Sequence, residues 1–260
     1  VLSCRKYFPN ADVVGFQHTA FFQNQLAYHL ALGENEHHPL PDKIIFSGPV
    51  YKDLYRKSRF PVGILADGPN LRFESVYLNR VEEKDVQDSH GDEKRLLLPL
   101  TFSYNLAFEL FVKVRDALRD MGEYTVYIRT HPLLSKKVLI KFLGKIDMKN
   151  YIFADEGTMQ EWLSKMYAVV STGGTITILE AVSFGTPVIR LIPDNTFYYD
   201  PFSTSNYPLK PVNTSLEIRG QLQSIDEIQK SGKGVFAAIA KEALSDYFSE
   251  PNEENLKIFL

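Results

Sequence analysis

The residues best placed for chemistry lie in one short block. There an apolar run ends in Ser171-Thr172-Gly173-Gly174-Thr175, and a helical pattern carrying Glu180 is stopped by Gly185-Thr186-Pro187 before the next apolar run. The order reads as strand, glycine turn, helix, strand. A helix that begins near Thr175 leaves its first amide N–H groups unpaired, which makes an anion site. Gly173 and Gly174 let the backbone approach a phosphate, and the hydroxyls of Thr172 and Thr175 can add contacts. Ile176, Leu179 and Val182 recur at three-residue spacing and can face a sheet. Glu180 lies on a different side and can accept hydrogen bonds from sugar or ribose hydroxyls. A plainer reading stays open: any such turn needs this punctuation, and Glu180 can be a solvated helix residue or the capping partner of Thr177, which precedes it by three.

Other polar residues fall at predicted strand ends, and in an open parallel sheet those ends line the ligand crevice. Arg129 and His131, in "YTVYIRTHP", follow one strand, Asp155 and Glu156 follow the next, and Arg190 lies in the last. Arg129 can neutralise a diphosphate or pair with an internal carboxylate. His131, fixed by Pro132, can donate to phosphate or satisfy a backbone carbonyl, while Arg190 can point into a helix layer. Downstream, Asn195 or Thr196 can contact a ligand, and Phe197, Tyr198 and Tyr199 can close over a base or sugar or simply pack as a loop. Near the start, Gln17 and His18 follow a short strand predicted over 11–16. His18 can read a substrate or carry a proton, or hydrogen-bond the following loop.

The segment "STGGTITILEAVSFGTPVI" resembles the donor-binding segment of glycosyltransferases with two facing Rossmann-like domains, the GT-B fold. Similarly, "IRTHP" resembles the Arg/Lys-x-His-Pro segment of bacterial surface-carbohydrate and capsule transferases. The Gly-Gly and Glu-Ala segment occurs as well in the related nucleotide-sugar 2-epimerases. The resemblance covers Leu96 to about Tyr199 well and the beginning of the chain loosely. It implies that Gly173 and Gly174 approach the donor diphosphate, that Glu180 binds a donor sugar or ribose hydroxyl, and that His131 contacts donor phosphate. The glutamine-histidine pair after "VVG" looks like one at the cleft face of the amino-terminal domain in this broad group.

The implied activity is transfer of a sugar from a nucleotide-sugar donor to a surface-carbohydrate or lipid-linked acceptor. Expected catalytic residues are His18 and His131; the expected donor contacts are Arg129, Ser171, Thr172, Gly173, Gly174, Thr175 and Glu180, with Asn195 and Thr196 as further candidates. The donor is a substrate, and no cofactor or metal is required. The expected setting is cytoplasmic, with peripheral association at the inner face of the membrane left open. A nucleotide-sugar 2-epimerase and a non-catalytic carbohydrate- or nucleotide-binding module are the alternatives.

The elements that must position these residues follow from the apolar pattern. After "RLLLPL" as a first strand, a helix is predicted over 103–119 with Leu106, Leu110, Val114 and Leu118 on its core face. Strands over 124–129, 151–154, 168–170 and 188–191 alternate with helices over 133–144 and 159–165 and the helix after Thr175. Five strand-helix alternations predict an α/β fold with a parallel sheet covered on both faces. Upstream, a strand over 43–46 and a helix after Gly48-Pro49 belong to a second α/β domain. The expected division is a partial acceptor-side domain over 1–80, a charged linker over 81–95, the donor domain over 96–245, and a tail or cross-domain segment over 246–260. The chain opens without methionine and its first elements read as the middle of a βα array, so a truncated chain lacking upstream sequence is expected.

Composition excludes other classes. The formal charge is -3 over 260 residues, which supplies no general attraction to nucleic acid, and the single Cys4 excludes an internal disulfide framework. No apolar run reaches the roughly 18 residues of a membrane span. His37 and His38 are adjacent, so in extended backbone they point to opposite sides and make no metal pair. Lys230 and Lys233 beside Gly232 and Gly234 lack the Ser or Thr of a phosphate loop and read as a helix connector.

Overall fold

The computed structural model describes residues 1–17, 19, 25–71, 93–143, 150–173, 175–202, 206–232 and 234–259. Two compact units emerge, one formed by Val1–Leu78 with Glu242–Leu260 and the other by Asn79–Lys241.

In the first unit, β1 (Val14–Gln17), β2 (Lys43–Phe46) and β3 (Leu65–Asp67) form a parallel sheet in that order. "KIIF" is buried from Ile44 to Phe46 because β2 is the middle strand. After α1 (Leu2–Tyr7), the main helix is α2 (Pro49–Lys57), which starts at Gly48-Pro49 as expected; proline there gives up an N–H that a first helical turn would leave unpaired. β3 was not anticipated, since three residues between turns carry little periodicity. Residues 20–24 lie outside the described residues, and Leu26–Tyr28 form a single 3₁₀ turn. The end of the chain belongs to this unit: Ser249 N donates to the Ser47 carbonyl at 2.6 Å and Asn70 N to the Ser249 carbonyl at 2.8 Å.

The second unit holds β4 (Lys94–Pro99), α3 (Tyr104–Ala117), β5 (Tyr124–Arg129), α4 (Lys136–Leu143), β6 (Tyr151–Phe153), α5 (Met159–Leu163), β7 (Ala168–Thr172), α6 (Ile176–Ser183) and β8 (Val188–Leu191). α7 (Ser215–Lys230) and the beginning of α8 (Val235–Tyr247) follow. All five strands pair in parallel, in the order β6-β5-β4-β7-β8. β5, β4 and β7 are the inner strands, and in β4 and β7 the runs Leu96–Leu98 and Ala168–Val170 are fully buried, as a sheet covered on both faces requires. α7 ends at Lys230 and α8 begins at Val235, with Gly232 and Gly234 between them at positive φ; Lys233 lies outside the described residues.

Several boundaries differ from the expected ones, each for a local reason. β4 begins at Lys94, inside the expected linker, because Lys94 and Arg95 pair with Tyr124 and Thr125; residues 72–92, including most of that linker, lie outside the described residues. α3 buries Ala107, Leu110, Phe111, Val114 and Ala117. A strict four-residue stripe drifts off a helix of 3.6 residues per turn, so Leu106 and Leu118 fall at the margin. α4 starts late, since Leu134 N closes a turn onto the His131 carbonyl at 2.8 Å. β7 runs on to Thr172, which makes Ser171 and Thr172 strand residues instead of turn residues. α6 is buried from Thr177 to Ser183 all round, not on one face.

A crevice between the ends of β4 and β7

Strand order decides where a ligand can sit on the larger sheet. From β4 the chain steps outward through β5 to β6, then returns to the other side of β4 with β7 and β8. Loops leaving β4 and β7 therefore part in opposite directions and open a crevice at the carboxyl ends of those two strands. The register Leu96↔Ala168 and Leu97↔Val169, continued along both strands, sets Leu100 level with Thr172 and Thr101 level with Gly173.

On the β7 side, two neighbouring hydroxyls have different fates because successive strand residues face opposite ways. Ser171 Oγ donates to the Thr172 carbonyl at 3.1 Å and is spent internally. Thr172 is 1% exposed, and its Oγ1 has no hydrogen-bond partner. On the β4 side, Thr101 Oγ1 is likewise buried without a partner. An unsatisfied buried hydroxyl costs about 1–3 kcal/mol. Two such groups at one switch point point to a polar ligand. Thr101 was missed by the sequence reading, which followed polar residues after every strand but the first; the available signal was the order of the sheet, which puts the first strand beside the turn.

Thr175 caps α6 as expected. Its backbone is extended, with φ −110° and ψ 140°, and its Oγ1 accepts from Thr177 N at 3.3 Å, which leaves the hydroxyl proton to be donated. Gly185 ends the helix at φ +72°, a conformation that favours glycine. Glu180 is 7% exposed, so it is not a solvated helix residue, and the cap belongs to Thr175 and not to Thr177. Gly173 is tightly enclosed: a Cβ there would lie 2.6 Å from the Tyr198 ring and closer still to the Tyr199 carbonyl. Glycine at 173 is thus required by the passage of Tyr198 and Tyr199 on that side. Gly174 and His18 lie outside the described residues.

From β5 comes His131. Leu133 N donates to its Nδ1 at 3.1 Å, which assigns the proton of the neutral ring to Nε2 and leaves Nε2–H as a donor. The ring meets Phe102 edge-on, centroids 5.9 Å apart, and Phe102 belongs to the loop that leaves β4. Ser135 N ties the same two loops by donating to Tyr104 Oη at 3.0 Å. His131 and the switch-point loop are therefore brought together.

Arg129 is committed elsewhere. It donates to the carbonyls of Ala154 at 3.3 Å, Glu156 at 3.2 Å and Gly157 at 2.6 Å, buttressing the loop after β6. Of the two expected roles, a contact to the donor diphosphate or a pair with an internal carboxylate, the second is taken by backbone carbonyls. Asp155 accepts from Thr130 N at 2.9 Å, Thr130 Oγ1 at 2.6 Å and Lys136 Nζ at 2.9 Å. Burial alone would raise its pKa, but these bonds outweigh burial and hold the carboxyl below the ordinary 3.8. Asp155 therefore locks the Thr130–His131 turn. Arg190 is buried, with Asp200 as its ion partner at 2.6 Å. Asn195 and Thr196 are exposed in the loop after β8, whose Asp194 is tied to α3 through Lys113 Nζ at 2.8 Å and Glu109 at 2.9 Å.

This end of the sheet carries hydrogen-bond donors: the hydroxyls of Thr101, Thr172 and Thr175, the N-termini of α3 and α6, and the His131 ring. Ser103, the N-cap of α3, makes no side-chain cap bond. Such a set suits phosphate oxygens. Among the described residues, no cluster of His, Cys, Asp or Glu could hold a metal ion, and no helix is long and apolar enough to cross a membrane.

No protein-family model matches the chain, and no curated protein matches it in sequence. Solved structures do match its fold. HepE of Anabaena, crystallised with UDP and glucose, superposes with a TM-score of 0.61 at 12% identity, over 98% of this chain and 72% of that one. A glycosyltransferase from Rickettsia africae gives 0.57 at 14% identity, over 98% and 71%. A putative UDP-N-acetylglucosamine 2-epimerase from Listeria monocytogenes gives 0.52 at 13% identity, over 84% and 58%. The chain has the α/β fold of GT-B glycosyltransferases.

Proposed function

We propose that this chain binds a nucleoside-diphosphate sugar in the β4/β7 crevice and transfers the sugar to a carbohydrate or lipid-linked acceptor. The observation that carries the reading is the pair of unpartnered hydroxyls, Thr101 and Thr172, at the switch point of a parallel sheet. Each lies beside a helix N-terminus, where phosphate oxygens supply the acceptors these hydroxyls lack. Charge that develops on the nucleotide as the sugar departs would be stabilised there and by His131 Nε2–H, by donors already in place. Glu180 is proposed to read a sugar or ribose hydroxyl, and Asn195 and Thr196 to contact the donor from the loop after β8. His18 is proposed as the proton acceptor for the attacking hydroxyl. The "IRTHP" resemblance favours a surface-carbohydrate acceptor, as in capsule synthesis, made at the cytoplasmic face of the membrane.

A uridine nucleotide is the first donor to test, because HepE was crystallised with UDP and with UDP-glucose. The fold likeness to the Listeria protein keeps the epimerase reading as second. Incubation with UDP-glucose and UDP-N-acetylglucosamine, followed by product analysis, separates the two. Free UDP with the sugar moved to an acceptor supports transfer; a sugar changed at carbon 2 but still linked to UDP supports epimerisation. Failure to bind any UDP, CDP or GDP sugar overturns both.

A further inference from the structure

The buried ion pair Arg190–Asp200 is unusually well built for a group that makes no hydrogen bond to Thr101, Thr172, Thr175 or His131. Arg190 is 2% exposed and the Asp200 side chain 7%. Arg190 Nη1 donates to both Asp200 oxygens, at 2.7 and 2.6 Å, and Nη2 donates to the Leu209 carbonyl. Asp200 Oδ1 also accepts from Phe202 N at 2.9 Å. The guanidinium lies over the Phe202 and Tyr207 rings, which stack on each other at 4.8 Å. Tyr207 Oη in turn accepts from Val188 N at 2.7 Å, the first residue of β8.

This apparatus is costly. Burying two charges is weak evidence for stability, because desolvation offsets most of the attraction, and Arg190 Nε remains without a partner. What it achieves is positional. It ties Asp200, Phe202, Tyr207 and Leu209 to β8, and the two residues immediately before Asp200 are Tyr198 and Tyr199, which close on Gly173. Tyr198 and Tyr199 are the wall against which Gly173 lies. A Cβ at 173 would collide with that wall. The wall and the glycine are therefore two halves of one fit.

We infer that Arg190 and Asp200 are positioning residues for the phosphate turn: they hold Tyr198–Tyr199 against Gly173 and thereby fix the direction of the Thr172 hydroxyl and the first amides of α6. This rests on the reading of the turn as the donor phosphate site. The pair acts on ligand through the wall, with no contact to the ligand itself.

The test replaces the pair by apolar residues, Arg190→Met with Asp200→Leu, and separately pushes on the wall with Gly173→Ala. Binding of UDP is read by calorimetry, melting temperature by scanning calorimetry, and kcat and KM with UDP-glucose where the parent turns over. The expected result is a melting temperature close to the parent's for the apolar pair, since such replacements are often neutral, with UDP affinity at least tenfold lower and KM raised more than kcat is reduced. Gly173→Ala should lower affinity similarly, and combining the changes should add little to the larger single effect. Parental UDP affinity in the apolar-pair variant overturns the inference. So does full additivity with Gly173→Ala. If the apolar pair does not fold, Asp200→Asn is read in its place by the same criteria. If the parent binds no nucleotide, the functional reading fails instead, and the positioning claim is judged on melting temperatures alone: non-additive losses for Gly173→Ala and Asp200→Asn support it, and additive losses overturn it.

Discussion

The two ends of the larger sheet are built on opposite plans. At the amino end, Lys94 donates to both Asp226 oxygens, at 2.8 and 2.7 Å, and Tyr167 Oη donates to the same carboxylate at 2.6 Å. The Lys94 ammonium also sits over the Tyr124 and Tyr167 rings, 5.2 Å from each centroid. Burial works against both charges, yet their mutual bonds outweigh it, leaving the lysine pKa above its ordinary 10.5 and the aspartate below its ordinary 3.8. At the carboxyl end, by contrast, Thr101 and Thr172 keep buried hydroxyls with no partner. One end has its polar groups matched within the protein and serves stability. The other leaves acceptors to be supplied from outside, which is how a site differs from a core.

That contrast gives a double dissociation. Asp226→Ala should have the largest effect, because it strands a half-buried ammonium: about 2–3 kcal/mol lost in urea denaturation, with UDP affinity unchanged. Glu180→Gln should act at the other end, costing roughly 1.5 kcal/mol of affinity for a ribonucleotide and much less for the nucleotide lacking the contacted hydroxyl. Calorimetry with the matched pair of ligands reads the difference, and equal losses would remove Glu180 as a hydroxyl reader. Thr172→Val should change the two quantities in opposite senses. Removing an unsatisfied hydroxyl should stabilise the free protein by about 1 kcal/mol while weakening UDP binding by about the same amount. A variant that is both less stable and unaltered in binding would place Thr172 with the amino-end cluster in kind.

The smallest expected effect concerns pH. Asp155 has a depressed pKa in the folded chain, so its contribution is fully present above the ordinary 3.8 and is lost as pH falls through the lower folded value. Between pH 7 and about 4.5 the stability difference between the parent and Asp155→Asn should therefore stay flat. It should narrow only in stronger acid. A difference that already narrows near pH 6 would contradict the assignment.

Much of this architecture was legible in the sequence, and the failures have physical causes. The strands over 43–46, 124–129 and 188–191 were placed to the residue, because short apolar runs between turn residues leave few alternatives. Thr175 and Gly185 were read correctly as the start and stop of their helix, since capping is a local property. Arg129 was harder. A cation at a strand end can reach a ligand or its own neighbouring carbonyls, and only the course of the loop after β6 decides for the carbonyls. Arg190 raised the same difficulty, as its partner lies ten residues on in a segment without periodicity. Thr101 was passed over because its importance comes from strand order, which no window of sequence contains.

The measurement closest to the central claim is a crystal structure of the protein with UDP. The account expects the diphosphate at the carboxyl ends of β4 and β7, with phosphate oxygens within hydrogen-bond distance of Thr172 Oγ1, Thr101 Oγ1 and the first amides of α6. A well-ordered UDP bound elsewhere, with both hydroxyls still unpartnered, would contradict it.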